Sequence, residues 1–249
     1  MHDARRYGII TDIHANLAAL RAVLDALARE DVSAYLCMGD IVGYGPSPAE
    51  AIAELRKLPL LQCIQGNHDR YTIGETPSEV RAATAEAIEY TRRVLCDDDM
   101  AFLRELPDEQ LFDSRILLAH GSPRDPDEYI MSAQIAITNY KYFRSEYNGV
   151  PVCLFGHTHV PTIVGDGRVV REIEPGKAIR LKHLMPYLIN PGSVGQPRDG
   201  NPDAAFAVLD LDEGTFTFHR VPYDIEDTQR RILEAGLQRH LSDRLKLGR

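Results

Sequence analysis

Three aspartates, one asparagine and five histidines fall in five short patches whose residue types bind divalent cations. In chain order the patches are Asp12-Ile13-His14, Gly39-Asp40, Gly66-Asn67-His68-Asp69, His120-Gly121 and Gly156-His157-Thr158-His159, and they take five of the nine histidines. Carboxylate oxygen and imidazole nitrogen suit manganese, iron, cobalt, nickel and zinc. With His68 and Asp69 set aside, Asp12, His14, Asp40, Asn67, His120, His157 and His159 offer more donors than one tetrahedral ion needs. They suit two ions about 3.5–4 Å apart, sharing a carboxylate and a hydroxide, which polarise a phosphoryl group and turn water into a nucleophile at neutral pH. A lone histidine after a strand is more often structural. Seven such groups at buried strand ends would otherwise be left unpaired, and that is costly.

Each patch follows an apolar run, at 7–10, 34–38, 60–64, 116–119 and 152–155. Such runs read as buried strands, and open α/β sheets bind ligands at the carboxyl ends of their strands. Gly39, Gly66, Gly121 and Gly156 permit tight backbone beside the patches. Asn16 is a cap for a helix over 17–29, with Leu17, Leu20, Leu24 and Leu27 at helical spacing. Ser47-Pro48 opens a second helix to about 57, with proline at its first position. This βαβαβ rhythm predicts parallel strands. Further helices are expected over 77–95 and 97–106, strands over 110–112 and 115–119, and one helix within 123–148. After His159 come short strands and hairpin turns at Gly165-Asp166-Gly167 and Asp212-Glu213-Gly214. Asp224 then caps a C-terminal helix with Ile225, Ile232, Leu233 and Leu237 inward. With no repeat, low-complexity segment or linker, a single domain over 1–249 is expected, with 123–148 as a small cap.

The composition is that of a globular protein: 44% hydrophobic and 26% charged residues. A net charge of −9 gives no electrostatic footprint for nucleic acid or an anionic membrane. No stretch approaches the roughly 18 apolar residues of a membrane span. Cys37, Cys63, Cys96 and Cys153 form no C-x-x-C pair, and three of them sit in the apolar runs, so they read as buried hydrophobes of a reduced compartment. A cytoplasmic location is expected. His2, His183, His219 and His240 lie outside any patch and read as surface or structural residues. Oligomeric state is not legible.

The order D-x-H, G-D, G-N-H-D, H-G, G-H-T-H resembles the calcineurin-like metallophosphoesterases. Asp12 to Asp40 spans 28 residues and Asp40 to Asn67 spans 27, as one βα unit per motif requires. The resemblance implies an α/β fold, a four-layer α/β/β/α sandwich of two mixed sheets. It implies a first metal on Asp12, His14, Asp40 and His159 and a second on Asp40, Asn67, His120 and His157, with Asp40 bridging. It implies that His68 faces the substrate as general acid and that Asp69 holds His68 protonated and correctly turned. Manganese is the expected ion of both sites, with iron, nickel, cobalt or zinc as alternatives.

Protein phosphatases of this family, and hydrolases that split diadenosine tetraphosphate symmetrically, read G-D-x-V-D-R-G at the second motif. Here the stretch is Gly39-Asp40-Ile41-Val42-Gly43-Tyr44-Gly45. Tyr44 stands where the phosphate-gripping arginine would be, so a bidentate clamp on a phosphomonoester dianion is missing there. A monoanionic diester needs less positive charge. The stretches 39–46, 66–70 and 190–200 are similar to a prokaryotic phosphodiesterase-like subfamily. The last is rich in Gly and Pro and is placed at the rim of the site. Tyr44, Arg70, Arg124 and Arg198 are the candidate substrate contacts. The aromatic group from Tyr129 to Tyr147 reads as core packing ahead of a stacking platform. The expected function is a dinuclear-metal phosphodiesterase acting on a small-molecule phosphoester or nucleotide by attack of a bridging hydroxide. The alternatives are a nucleotide or dinucleoside polyphosphate hydrolase, a phosphomonoesterase and, remotely, a binding module on the same fold. Such modules lose ligands, and this chain keeps all of them.

Overall fold

Both faces of the first strand are buried, and this dictates the layering. In the computed structural model, which describes residues 6–74 and 76–249, β1 (Arg6–Ile10) sends Tyr7 and Ile9 into one apolar layer and Ile10 into another. Side chains alternate across a strand, so a strand without a polar face needs cover on both sides. β2 (Ala34–Cys37) and β3 (Leu61–Cys63) continue parallel to β1, as the βαβαβ rhythm predicts. β11 (Ala204–Asp210) pairs antiparallel with the other edge of β1, followed by β12 (Thr215–Val221) and β9 (Ala178–Arg180). The first sheet therefore runs β3-β2-β1-β11-β12-β9.

The second sheet runs in the order β4 (Glu109–Phe112), β5 (Ile116–Ala119), β6 (Val152–Leu154), β10 (Tyr187–Asn190), β7 (Thr162–Gly165) and β8 (Arg168–Val170). Its β5, β6 and β10 are parallel and the rest antiparallel. The sheets face each other across a layer built from Tyr7, Ile9, Leu36 and Met38 on one side and Ile116, Leu118, Leu154 and Ile189 on the other. On the outer face of the first sheet lie α1 (Leu17–Leu27) and α2 (Pro48–Leu55), through Leu20, Val23, Leu27 and Ile52. On the outer face of the second lies α6 (Ala133–Glu146), through Ala136, Tyr140 and Phe143. This is the expected four-layer sandwich of two mixed sheets.

The remaining helices surround the strand ends. They are α3 (Asn67–Ile73), α4 (Ala82–Val94), α5 (Asp97–Glu105), α7 (Ile225–Glu234) and α8 (Arg239–Asp243). The helix expected from residue 77 begins at Ala82, because 77–80 form a turn closed by Val80 N–H on Pro77 O and Arg81 is extended. Leu233 was expected inward and is exposed. Ile225 and Ile232 take the buried face of α7, and Leu233 lies a further 100° round the helix. Asp224 caps that helix as expected, accepting from Asp227 N–H at 2.9 Å. The expected sulfur placement holds: Cys37, Cys63 and Cys153 are buried free thiols. His183 and His240 are exposed, and His219 stacks on Phe206. His2 lies outside the described residues. Among the described residues no helix is long and apolar enough to cross a membrane.

Asn16 ties three distant parts of this framework together. Its carboxamide accepts from Ala19 N–H at the start of α1 and from the Thr228 hydroxyl on α7, and donates to Gly195 O at 2.8 Å. Replacing it strands two buried backbone groups, Ala19 N–H and Gly195 O, and leaves the Thr228 hydroxyl only its bond to Asp224 O. Asn16→Ala is expected to lower stability by about 2–3 kcal/mol in urea unfolding. A loss below about 0.5 kcal/mol would show that these bonds carry no net energy.

Candidate active site

The strand ends deliver their polar residues to one point. Asp12 and His14 follow β1, Asp40 follows β2, Asn67 opens α3 after β3, His120 follows β5, and His157 and His159 follow β6. The loops are bonded to one another. Asp12 N–H donates to Gly39 O, His14 N–H to Asp40 O, and Gly156 N–H to His120 O, all within 3.0 Å. Asn190, the last residue of β10, donates to Gly156 O at 2.6 Å. Five of the seven expected ligands, Asp12, His14, Asp40, His157 and His159, have φ between 48° and 63°. Non-glycine residues rarely occupy this left-handed region. Such a concentration of strained backbone points to function.

The side chains form two overlapping groups. Donor atoms of Asp12, His14, Asp40 and His159 lie within 4.8 Å of one another, and so do those of Asp40, His120 and His157. Asp40 belongs to both. Its Oδ2 is 3.4 Å from His14 Nε2 and 3.5 Å from His120 Nε2. Asn67 Oδ1 joins the second group at 3.1 Å from His120 Nε2. The structure thus brings together all seven residues that the sequence singled out as ligands.

The imidazoles are oriented as ligands are. His14, His120 and His159 point Nδ1 at the carbonyls of Val42, Met38 and Gln196. A carbonyl only accepts, so Nδ1 carries the proton and Nε2 turns a lone pair inward. His14 Nε2 and His159 Nε2 then face each other at 3.0 Å. Two lone pairs so close are repulsive unless a cation lies between them. His157 Nε2 is buried with no partner. This donor set fits hard-to-intermediate divalent ions.

The electrostatics agree. Burial holds His14 and His159 well below the usual histidine range and pushes His157 down to about 2. Burial also raises Asp12 to about 7, with help from the Asp40 charge. Burial would raise Asp40 as well, but His120, His68 and His14 outweigh it and hold its carboxyl well below the carboxylate range. His120 is the counterpart: burial lowers it, yet Asp40 and Asp12 prevail and lift it to about 9. The buried carboxylates thus call for positive charge, and they favour the protonated form of His120.

His68 is buried beside this cluster, its ring 4.8 Å from that of His14 and 4.3 Å from that of Tyr44. Its Nδ1 is buried without a partner, and burial pushes the ring down to about 4 against the pull of Asp40. Gly43, at φ 85°, makes room for it, since a Cβ there would collide with His68 Nδ1. Asp69 does not do what was expected of it. Its carboxylate accepts from the N–H groups of Ile41, Val42 and Gly66 at 2.9–3.1 Å, and none of its hydrogen bonds goes to His68. Three amides from two motif loops converge on it and leave it no orientation toward the ring.

A cleft of about 430 Å³ opens over the cluster, lined in part by Asn67, His68 and His157. Tyr44 and Arg198 line it, as candidate contacts should. Arg70 and Arg124 do not: Arg70 is bonded to Asp127 and Arg124 to Glu128, so their charge is used locally. The 190–200 stretch is not a rim. Residues 190–197 are buried behind the cluster, where Ser193 Oγ and Gly195 N–H bond Asp12 O and Gln196 O bonds His159; only Arg198 reaches the cleft. The aromatic group divides. Tyr140 and Phe143 are core, whereas Tyr129 lies 3.7 Å from the His157 ring and lines the cleft. Arg81 and Arg244, also lining it, had no signal in the sequence, since each is a lone arginine at a helix end.

The model of the calcineurin-like phosphoesterase superfamily domain matches residues 6–214, and the chain belongs to that family. It is a metallophosphoesterase, a hydrolase of phosphoric esters. It is 34% identical over 248 residues to the uncharacterized protein MJ0912 of Methanocaldococcus jannaschii, covering 97% of each. A metallophosphoesterase from Sphaerobacter thermophilus superposes with a TM-score of 0.86 at 38% identity, covering 99% of this chain and 100% of that one. The hypothetical protein PH1004 from Pyrococcus horikoshii OT3 shares the fold, with a TM-score of 0.82 at 20% identity over 98% of both chains.

The placement of Asp69 makes a sharp prediction. Asp69→Asn puts an amide N–H₂ against backbone donors and should cost about 2 kcal/mol or more of stability in a urea melt, with weaker metal retention. Unchanged stability with a fall in kcat alone would return Asp69 to the role of a partner for His68.

Proposed function

We propose that the chain is a dinuclear-metal phosphodiesterase, with Asp12, His14, Asp40 and His159 holding one ion and Asp40, Asn67, His120 and His157 the other. The observation that carries this reading is the sharing of the Asp40 carboxylate by two donor groups that each close within 4.8 Å. A pair of divalent cations, with manganese the expected ion, supplies Lewis-acid polarisation of the phosphoryl group and a nucleophile from water at neutral pH. The protein's own part is to fix the donors. Backbone carbonyls set the imidazole tautomers, and backbone amides fix the carboxylates, the His157 N–H holding Asp12 and the His68 N–H holding Asp40.

His68 is the general acid in this reading. It lines the cleft beside the cluster but is in neither donor group. Burial keeps the free ring neutral, with its pKa at about 4. The negative charge of a bound phosphoester acts in the opposite direction and favours the protonated ring. Asp69 acts by position, since its three amide bonds hold together the loops that carry Asp40 and Asn67. Free buried thiols fit a reduced, cytoplasmic setting. The α6 region packs on the second sheet and, with Tyr129 at the cleft, serves as a small cap within a single domain.

Two variants test this. His68→Ala should retain both metals by elemental analysis and lose roughly 10²–10⁴-fold in kcat on a bis(nitrophenyl) phosphate; normal turnover would remove the acid role. Asp40→Ala should lose metal from both sites together. Full occupancy in that variant would refute the shared bridge.

A further inference from the structure

Three guanidiniums reach the cleft from separate parts of the chain: Arg81 just before α4, Arg198 after the buried 190–197 stretch, and Arg244 just after α8. Among the described residues none of the three is paired with an aspartate or glutamate side chain. Arg198 donates to Gln196 Oε1, at 2.9 Å, and to the Tyr129 hydroxyl, and its Nε is buried with no acceptor. Arg244 Nε donates to a main-chain oxygen of Arg249, the last residue of the sequence. Arg70, Arg92, Arg124 and Arg220, by contrast, are each matched to an aspartate or glutamate. The cleft's own carboxylates cancel the charge only in part: Asp127 is bonded to Arg70, and the single exposed Glu79 faces three guanidiniums.

We propose that Arg81, Arg198 and Arg244 form a subsite for a second phosphoryl group, so that the substrate is a phosphodiester carrying a further phosphate one short spacer from the bond that is cut. This rests on the phosphoesterase reading and names its substrate class. Three converging cations in a half-buried site repel one another, and burial together with Arg198 and Arg81 pushes Arg244 down to about 10. An anion between them relieves that repulsion. A phosphate monoester, with two charges and three terminal oxygens, matches three guanidinium forks better than a carboxylate does.

The arrangement also sets where the second group lies. Arg198 is close enough to the cluster to be among the charges that lower His14, His68, His157 and His159. Arg244 lies farther out, against Arg198, Arg81, Tyr44 and Tyr129. The Tyr44 ring stands between the two zones, 4.3 Å from the His68 ring and 5.9 Å from the Arg198 guanidinium. The second phosphate therefore lies on the far side of the Tyr44 ring from His68. Positive charge that Tyr44 does not supply at the second motif is supplied from three other places, displaced outward.

The test compares two esters with one leaving group, thymidine 5′-(p-nitrophenyl phosphate) and the same compound with a 3′-phosphate, on metal-reconstituted full-length protein. The wild type should favour the 3′-phosphorylated ester at least tenfold in kcat/KM, through KM. Arg81→Ala and Arg244→Ala should each reduce that preference severalfold, and Arg244→Lys should keep part of it. A wild-type preference near one, or one that survives both alanine variants, overturns the subsite. Calorimetric titration of inorganic pyrophosphate into EDTA-treated protein decides the matter apart from catalysis. Binding at least fivefold weaker in Arg81→Ala, an exposed position whose replacement leaves the fold intact, sustains the subsite; equal affinity overturns it. If neither ester is cleaved, the phosphoesterase reading fails and the titration still decides.

Discussion

Everything in this protein is arranged around a cluster of buried lone pairs that cannot be neutral and stable at once. Asp12 and Asp40 are almost wholly removed from water, and four imidazoles face them with their acceptor nitrogens. Burying a charge is tolerable only when it is paired. The carboxylates favour a proton on His120, and cations held by the cluster would balance them more fully. The two sheets supply the enclosure that makes this electrostatic demand so strong, because the layer between them excludes water from the floor of the site.

The demand for positive charge is matched by rigidity in the backbone. Five of the candidate ligand residues sit at left-handed φ, and they persist there because each loop is bonded to another: the first to the second, the fourth to the fifth, and the 190–197 stretch to the first and the fifth. Gly66 shows the tolerance. A Cβ there would collide with Asp40 Oδ1, so the third loop packs on the shared carboxylate with no space to spare. Asp69 extends the same logic, spending a buried carboxylate on three amides.

The clustering of the motif residues and the sheets were legible in the sequence because both depend on local signals. An apolar run followed by Gly and Asp or His marks a strand end, and Asn16 and Asp224 announce their helices by capping chemistry. The cleft was not legible. Arg81 and Arg244 meet only because α4 and the C-terminal helices pack together through Ala83, Ala87, Ile232 and Leu241, and no pattern along the chain records that contact. The 190–200 stretch was misplaced for a related reason. Its Gly and Pro content signals irregular backbone, which is usually at the surface, but here its polar groups are satisfied by the motif loops and it can be buried. Asp69 was misread because a neighbouring histidine is a more obvious partner than three amides from distant loops.

The position of β1 has a consequence for how the chain reaches this state. It lies in the middle of its sheet, yet its pairing partner on one side, β11, arrives some 200 residues later, with Tyr7 opposite Leu209. During synthesis β1, β2 and β3 can associate early as a parallel unit, but β1 then presents an unpaired hydrophobic edge until most of the chain has been made. Contacts of such long range fold slowly, and open strand edges invite pairing with other chains. The strand that carries the first two ligands is therefore also the one whose exposure on the ribosome lasts longest, which makes the protein's yield, and not only its activity, depend on how quickly its last strands come home.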